Sequence, residues 1–114
     1  MQLLAIEREL PAGIYARSET LLRAEAAAVW KLQQSGLVRQ LWSTAADRRT
    51  LLLFECSNAA EARRHLATLP MVEHGTVEFS VLELRNYDGF EHLFASDKSP
   101  AARIESASTE APEY

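Results

Sequence analysis

Two short runs of this sequence are apolar at every position: residues 3–6 (Leu-Leu-Ala-Ile) and residues 51–54 (Leu-Leu-Leu-Phe). Neighbouring residues of a β-strand point to opposite faces of the sheet, so a strand built from either run carries apolar side chains on both faces. Such a strand needs cover on both sides. The two runs therefore predict a sheet that is packed by helices of the same chain on one face and by something else on the other.

Residues that form turns and helix caps divide the sequence into six predicted elements, in the order β-α-β-β-α-β. Strands are predicted at residues 3–10, 37–44, 50–56 and 76–84. A first helix is predicted to begin after Ser18, whose hydroxyl is a typical N-cap, and to run to Gln34, with Gly36 as the stop that follows it. A second helix is predicted from Asn58, which stands three residues before Glu61 as in a capping box, to Pro70.

This order is the split βαβ, or ferredoxin-like, arrangement of an α+β domain with a four-stranded antiparallel sheet. Two helices cover only one face of such a sheet, and a second copy of the chain is the simplest cover for the other. We expect residues 1–94 to form this domain and to pair through its sheet into a homodimer or a higher homo-oligomer built from dimers. Residues 95–114 are polar and are expected to form a flexible tail.

Composition narrows the functional class. The chain has 12 basic and 16 acidic residues and a formal net charge of −4, which gives a nucleic-acid-binding surface little electrostatic support. No apolar run approaches the roughly 18 residues that span a membrane, and charged residues follow the start too closely for a signal peptide. A single cysteine, Cys56, excludes an internal disulfide and a multi-cysteine zinc site. We expect a cytoplasmic protein whose partner is a small molecule, not nucleic acid or a membrane.

Glu25 is the first candidate for chemistry. At about 100° per residue, Glu25 falls between Val29 and Leu32 in the apolar arc of the first helix. A carboxylate aimed at a sheet is costly unless it is paired, hydrated or protonated. Two interpretations stay open: a structural ion pair with a strand arginine, or a general base or acid in a pocket between the helix and the sheet.

Other polar and aromatic residues are candidate substrate contacts. Arg39, in the second predicted strand, is a candidate anchor for a substrate carboxylate, because a guanidinium binds a carboxylate through two parallel hydrogen bonds; an exposed edge-strand arginine is the alternative. Trp42 is a candidate pocket wall or a packing residue, and His74 a candidate site residue or a surface histidine. The histidines show no metal-ligand spacing and there is no glycine-rich nucleotide-binding loop, so we expect no metal and no organic cofactor.

Several segments resemble the muconolactone isomerase family. They are residues 31–36 (Lys-Leu-Gln-Gln-Ser-Gly), 39–42 (Arg-Gln-Leu-Trp), 53–55 (Leu-Phe-Glu), Ala62, Leu66, 69–70 (Leu-Pro) and 77–78 (Val-Glu). The family pattern aligns without a gap over residues 22–82 or so. The resemblance implies a ferredoxin-like subunit that forms a dimeric α+β barrel, often in larger rings. It also implies an enzyme of aromatic catabolism that moves a proton between two carbons of an unsaturated lactone bearing a carboxymethyl group, without metal or organic cofactor.

The resemblance implies roles for two residues and also shows departures. Glu25 matches an acidic position of the family's first helix and Arg39 matches its strand arginine, so we expect Glu25 to act as the base and Arg39 to bind the substrate carboxylate. The family's histidine after that arginine is Gln40 here, and its polar His-Tyr-Ala-Asn stretch is replaced by residues 47–50 (Asp-Arg-Arg-Thr). The departures affect the substrate more than the fold.

Two other functions stay open at this point. One is a cofactor-independent monooxygenase of the dimeric α+β barrel group, in which Trp42 shapes an aromatic pocket. The other is a non-catalytic module that binds a small molecule, in which Glu25 is ion-paired and inert. Oxygen consumption distinguishes the first from an isomerase, and an open pocket beside Glu25 argues against the second.

Overall fold

The computed structural model describes residues 1–11, 13 and 17–94 of the chain. Its elements are β1 (Gln2–Glu9), α1 (Glu19–Gln34), β2 (Val38–Ser43), β3 (Thr50–Glu55), α2 (Ala59–Ala67), α3 (Pro70–Glu73), β4 (Val77–Glu83) and a 3-10 helix (Gly89–Phe94). The strands form one four-stranded antiparallel sheet in the spatial order β2-β3-β1-β4. This is the predicted ferredoxin-like arrangement, and the α+β fold class is confirmed.

Helix α1 begins and ends where its sequence signals predict. The hydroxyl of Ser18 accepts a hydrogen bond from the Leu21 amide at 3.1 Å, which satisfies one of the unpaired N–H groups of the first turn. Gly36 follows the helix with φ 86°, a left-handed conformation that glycine adopts without steric cost. These two ends fix how α1 lies on the sheet and which of its residues face the strands.

The region around α2 and α3 agrees with the capping prediction and corrects the prediction for Pro70. Asn58 Oδ1 accepts a hydrogen bond from the Glu61 amide, and the Glu61 carboxylate accepts one from the Ser57 amide, both at 2.8 Å. Helix α2, however, ends at Ala67, and Pro70 begins the short helix α3 instead of closing α2. Proline suits the first position of a helix because its missing N–H has no helical partner there.

The helices pack on one face of the sheet, which we call the inner face. Its core combines strand residues (Leu3, Ala5, Val38, Leu52, Phe54) with helix residues (Ala59, Ala62, Leu66, Leu69). Along β1, Glu7 occupies the inner-face position after Leu3 and Ala5 and is only 6% exposed. A buried carboxylate at the edge of an apolar core is costly, so its surroundings matter for the site described below.

The opposite, outer face of the sheet is apolar and has no cover within the described part of the chain. Leu4 and Ile6 of β1 lie across from Leu53 and Leu51 of β3, and all four are partly exposed. This face is the surface that the predicted homodimer would bury, and the dimer remains a prediction. The predicted tail, residues 95–114, lies outside the described residues. None of the helices in the described part of the chain is long and apolar enough to cross a membrane.

Candidate active site

A cleft of about 480 Å³ opens between α1 and the inner face of the sheet. Leu22 and Val29 of α1 form one apolar wall, and Leu41 of β2 and Leu52 of β3 form the other. Leu22 and Leu41 are 37% and 38% exposed, because α1 does not cover the β2 edge of the sheet completely. The cleft therefore combines apolar walls with access from solvent, which is typical of a small-molecule site.

Glu25 lines this cleft, at the position that the apolar arc of α1 predicts. Its Oε1 accepts a hydrogen bond from the Met71 amide at 2.9 Å, near the start of α3. The N-cap residue of α3, Leu69, supplies no side-chain hydrogen bond, so Glu25 caps this short helix from α1. Within the described part of the chain, Oε2 accepts no hydrogen bond and Glu25 forms no ion pair. One carboxylate oxygen is thus held while the other is available to a ligand.

The surroundings raise the pKa of Glu25 above its ordinary value of 4.5. Burial is the main cause, because a half-buried carboxylate loses part of its hydration. The hydrogen bond from Met71 opposes this effect, and the negative charge of Glu7 adds to it. A raised pKa makes the Glu25 carboxylate a better proton acceptor than an exposed glutamate.

Glu7 is a second carboxylate of the cleft that sequence reasoning missed. Its Oε1 accepts a hydrogen bond from the Thr50 amide at 2.9 Å, at the start of β3. The signal was present in the sequence, since Leu3, Ala5 and Glu7 alternate along one strand and so share its inner face. The cleft therefore holds two carboxylates, each with one oxygen fixed by a backbone N–H.

Arg39 lies apart from Glu25. It is exposed on β2, its Nε donates a hydrogen bond to the Gly36 carbonyl oxygen at 2.7 Å, and it is not part of the cleft lining. A register shift of the β2–β3 pairing between Val38 and Gln40 falls at this position. A bulge of this kind redirects a side chain relative to strict alternation. The resemblance assigns Glu25 and Arg39 to one site, but within a single chain the two residues do not line the same cleft.

Trp42 and His74 differ in their relation to the cleft. Trp42 contributes to the lining, but it pairs with Leu51, which places its side chain toward the outer face, and it is 46% exposed. His74 is the C-cap residue of α3, and its Nδ1 is 3.0 Å from the Pro70 carbonyl oxygen, outside the lining. Residues 1–11, 13 and 17–94 include no group of three or more His, Cys, Asp or Glu side chains placed to hold a metal ion.

Two arginines that sequence reasoning did not assign to the site also line the cleft. Arg17 forms an ion pair with Glu9 at 3.1 Å. Arg48 lies in the β2–β3 hairpin and belongs to the segment that departs from the family pattern. Neither arginine contacts Glu25 within the described residues, so the acidic and basic groups of the cleft are separate.

Comparison with known proteins agrees with this architecture. Residues 3–88 match the family model described as muconolactone delta-isomerase. The chain belongs to the muconolactone delta-isomerase family. Its fold is similar to that of a 5-chloro-2-hydroxyhydroquinone dehydrochlorinase from Burkholderia phenoliruptrix, solved in complex with 2,5-dihydroxybenzoquinone, with a TM-score of 0.57 and 15% identity over 78% of this chain and 98% of that chain. No curated protein sequence matches the chain significantly.

Proposed function

We propose that this protein is an isomerase that moves a proton within a small unsaturated lactone, or a related carboxylated metabolite of aromatic catabolism, with Glu25 as the base. Membership in the muconolactone delta-isomerase family supports an enzyme of this kind. The observation that carries the proposal is the environment of Glu25: a half-buried carboxylate, with one oxygen held by Met71 and a raised pKa, in an accessible cleft.

The proposed reaction needs one base and no change of oxidation state. The free oxygen of Glu25 takes a proton from one carbon of the lactone, and the electron pair of the broken C–H bond enters the conjugated system. The Glu25 carboxyl group then gives a proton to another carbon as the double bond shifts, after its own proton has exchanged with solvent in the open cleft, so substrate and product have the same composition and charge. Desolvation in the cleft favours this transfer because it brings the pKa of Glu25 closer to the working pH.

The remaining residues of the site contribute shape and position. The apolar walls at Leu22, Val29 and Leu52 suit the ring of a small lactone. The anchor role of Arg39 rests on the resemblance alone, because its Nε is bonded to the Gly36 carbonyl and its side chain lies outside the cleft lining. Glu7 acts as a positioning residue whose charge adds to the effect of burial on the pKa of Glu25.

The outer face of the sheet is proposed to pair with a second copy of the chain. Leu4, Ile6, Leu51 and Leu53 form an apolar surface across its two central strands. Burying this surface in an isologous contact removes it from water in both copies at once. Light scattering at micromolar protein concentration should find a dimer or a multiple of it, and a stable monomer would contradict the pairing.

The function is tested by incubating the purified full chain with a panel of unsaturated lactones bearing a carboxymethyl group. The reaction is run in D₂O, followed by NMR, and repeated in an oxygen electrode. We expect the C=C bond to shift in at least one lactone, with deuterium at the carbon that receives the proton and no uptake of oxygen. A complete failure to isomerise the panel would contradict the proposal.

The same measurements decide between the isomerase and its alternatives. Oxygen uptake in proportion to product formed from a quinol would identify a monooxygenase. Tight binding of a lactone without turnover would identify a binding module.

A further inference from the structure

The β2–β3 hairpin holds its tip through bonds to Thr44. The Thr44 amide donates to the Arg49 carbonyl oxygen at 2.8 Å, the Arg48 amide donates to the Thr44 carbonyl oxygen at 2.9 Å, and the Thr44 hydroxyl bonds to Asp47. Within this turn Arg48 has φ 56°. Among the described residues that are not glycine, Arg48 alone has a positive φ. A left-handed residue at the end of such a turn is ordinarily glycine or asparagine, because a Cβ is crowded there.

The ion pairs around the hairpin single out Arg48. Arg17 is paired with Glu9 at 3.1 Å, and Arg49 is paired with Asp47 at 2.9 Å. Within residues 1–11, 13 and 17–94, no carboxylate lies within 4.0 Å of Arg48. Its guanidinium is therefore the cleft-lining cation whose charge is not already matched by a described side chain.

Arg48 lies where the cleft joins a second hollow of about 500 Å³. It lines both spaces, whereas Glu25 lines only the cleft. The stretch of cleft near Glu25 has apolar walls at Leu22 and Val29. A ligand with an apolar ring and one anionic group thus meets a base at one part of the cleft and an unpaired guanidinium at another.

We propose that Arg48 binds the carboxylate of the substrate, so that the strained hairpin residue, and not Arg39, is the anion anchor of this cleft. This inference deepens the proposed function and rests on it for the identity of the ring. A planar guanidinium binds a carboxylate through two parallel hydrogen bonds, which fixes the direction of the ligand as well as its position. A left-handed conformation is uncommon for a residue other than glycine, and residues held in it by their surroundings occur at ligand-binding sites as well as in turns.

Glu7 restricts which anions the proposed anchor at Arg48 can bind. It lines both the cleft and the hollow, and its Oε1 is held by the Thr50 amide. A second carboxylate near Glu7 is repelled, whereas the same group beside Arg48 is attracted. The ligand class is consequently a monoanion with its charge at one end of a small ring, and a second anionic group on the ring should weaken binding.

The test compares 2-furylacetate with 2-furylacetamide, two ligands that share a five-membered ring and differ in charge. Neither carries a shiftable lactone double bond, so binding is measured by calorimetry without turnover. We expect wild type to prefer the carboxylate by about tenfold or more, as a charge-assisted bidentate pair predicts. Arg48→Gly should abolish the preference, Arg48→Lys should keep part of it, and Arg39→Ala, at an arginine outside both the cleft and the hollow, should keep all of it.

The glycine variant separates binding from folding. Because glycine is favoured at φ 56°, Arg48→Gly should melt no lower than wild type, and Arg48→Asn provides a second left-handed replacement for the same comparison. A retained preference in both variants would overturn the proposal. It would also be overturned if wild type showed no preference, or no binding at millimolar ligand, or if Arg39→Ala removed the preference instead. Lactone turnover by wild type is measured separately, so a failure of the isomerase proposal leaves the binding result interpretable.

Discussion

Two glutamates in different regions of this molecule make the same kind of hydrogen bond, yet their pKa values are shifted in opposite directions. Glu25, in the cleft, accepts a backbone N–H from Met71 at 2.9 Å, and Glu61, at the start of α2, accepts one from Ser57 at 2.8 Å. The pKa of Glu25 is raised because burial outweighs the hydrogen bond, whereas the pKa of Glu61, which is less desolvated, is lowered mainly by its hydrogen bond. A carboxylate that accepts a backbone N–H thus serves as a helix cap when it stays hydrated. The same carboxylate is a candidate base when burial removes its hydration.

The largest effect is expected on catalysis. Glu25→Gln preserves the shape of the side chain and an oxygen for the Met71 amide, but removes the base, so turnover of the isomerised lactone should fall by roughly 10²-fold or more. The control is Glu61→Gln, which alters the same residue type with a similar hydrogen bond. Its turnover should stay within a few-fold of wild type. Steady-state kinetics measures both variants, and a Glu25→Gln variant as active as the control would contradict the role of Glu25 as the base.

The pH dependence of the reaction is expected to move with Glu7. Its negative charge is one cause of the raised pKa of Glu25, so Glu7→Gln should lower that pKa and shift the acidic limb of the kcat/KM profile to lower pH. The substituted amide still offers an oxygen to the Thr50 N–H. The chemical shift of the Glu61 carboxyl should titrate as in wild type. An unmoved acidic limb would show that Glu7 plays only a structural part.

Thermal stability at neutral pH should separate the two glutamates by sign. Glu25→Gln removes a carboxylate that is unfavourably desolvated, so the Tm should be unchanged or rise by a few degrees. Glu61→Gln removes the charged partner of the Ser57 amide at a helix start, so the Tm should fall slightly. Scanning calorimetry of both variants checks the signs. A large loss of stability in Glu25→Gln would make its capping of α3 the dominant role.

The smallest expected effect is the pH dependence of those stabilities. The contribution of Glu25, whose folded pKa is raised, is fully present below the unfolded value of 4.5 and is lost as the pH rises through the folded pKa. The contribution of Glu61, whose folded pKa is lowered, is present above 4.5 and is lost as the pH falls through the folded pKa. Denaturant unfolding from pH 3 to 8 gives the difference in free energy of unfolding between wild type and each Gln variant. This difference should change with pH in opposite directions for Glu25 and Glu61, and a change in the same direction would contradict the opposite pKa shifts.

Most of the fold follows from local features of the sequence. The caps at Ser18 and Asn58 fix where the helices begin, and strand alternation fixes which side chains face the helices. The helical period also places Glu25 on the sheet side of α1. Pro70 is the exception, because a proline that follows one helix is equally suited to begin the next.

The arginines of the site are where sequence reasoning fails, for two physical reasons. The register shift beside Arg39 breaks the alternation from which a strand side chain's direction is read. The direction of Arg48 depends on the left-handed backbone of a hairpin turn, which no periodic pattern encodes. Strand alternation could have placed Glu7 on the inner face, because Glu7 continues the buried series of Leu3 and Ala5.

The most direct test of the account is a titration of the glutamate carboxyl carbons by NMR in the full wild-type chain. Selective ¹³C labelling resolves Glu25 and Glu61 in the same sample, so buffer, salt and temperature are identical for both. We expect Glu25 to titrate above 4.5 and Glu61 below 4.5, and the Glu25→Gln variant assigns the first signal. A Glu25 midpoint at or below that of Glu61 would contradict it, because a carboxylate that keeps its full hydration is not the desolvated base that the cleft requires.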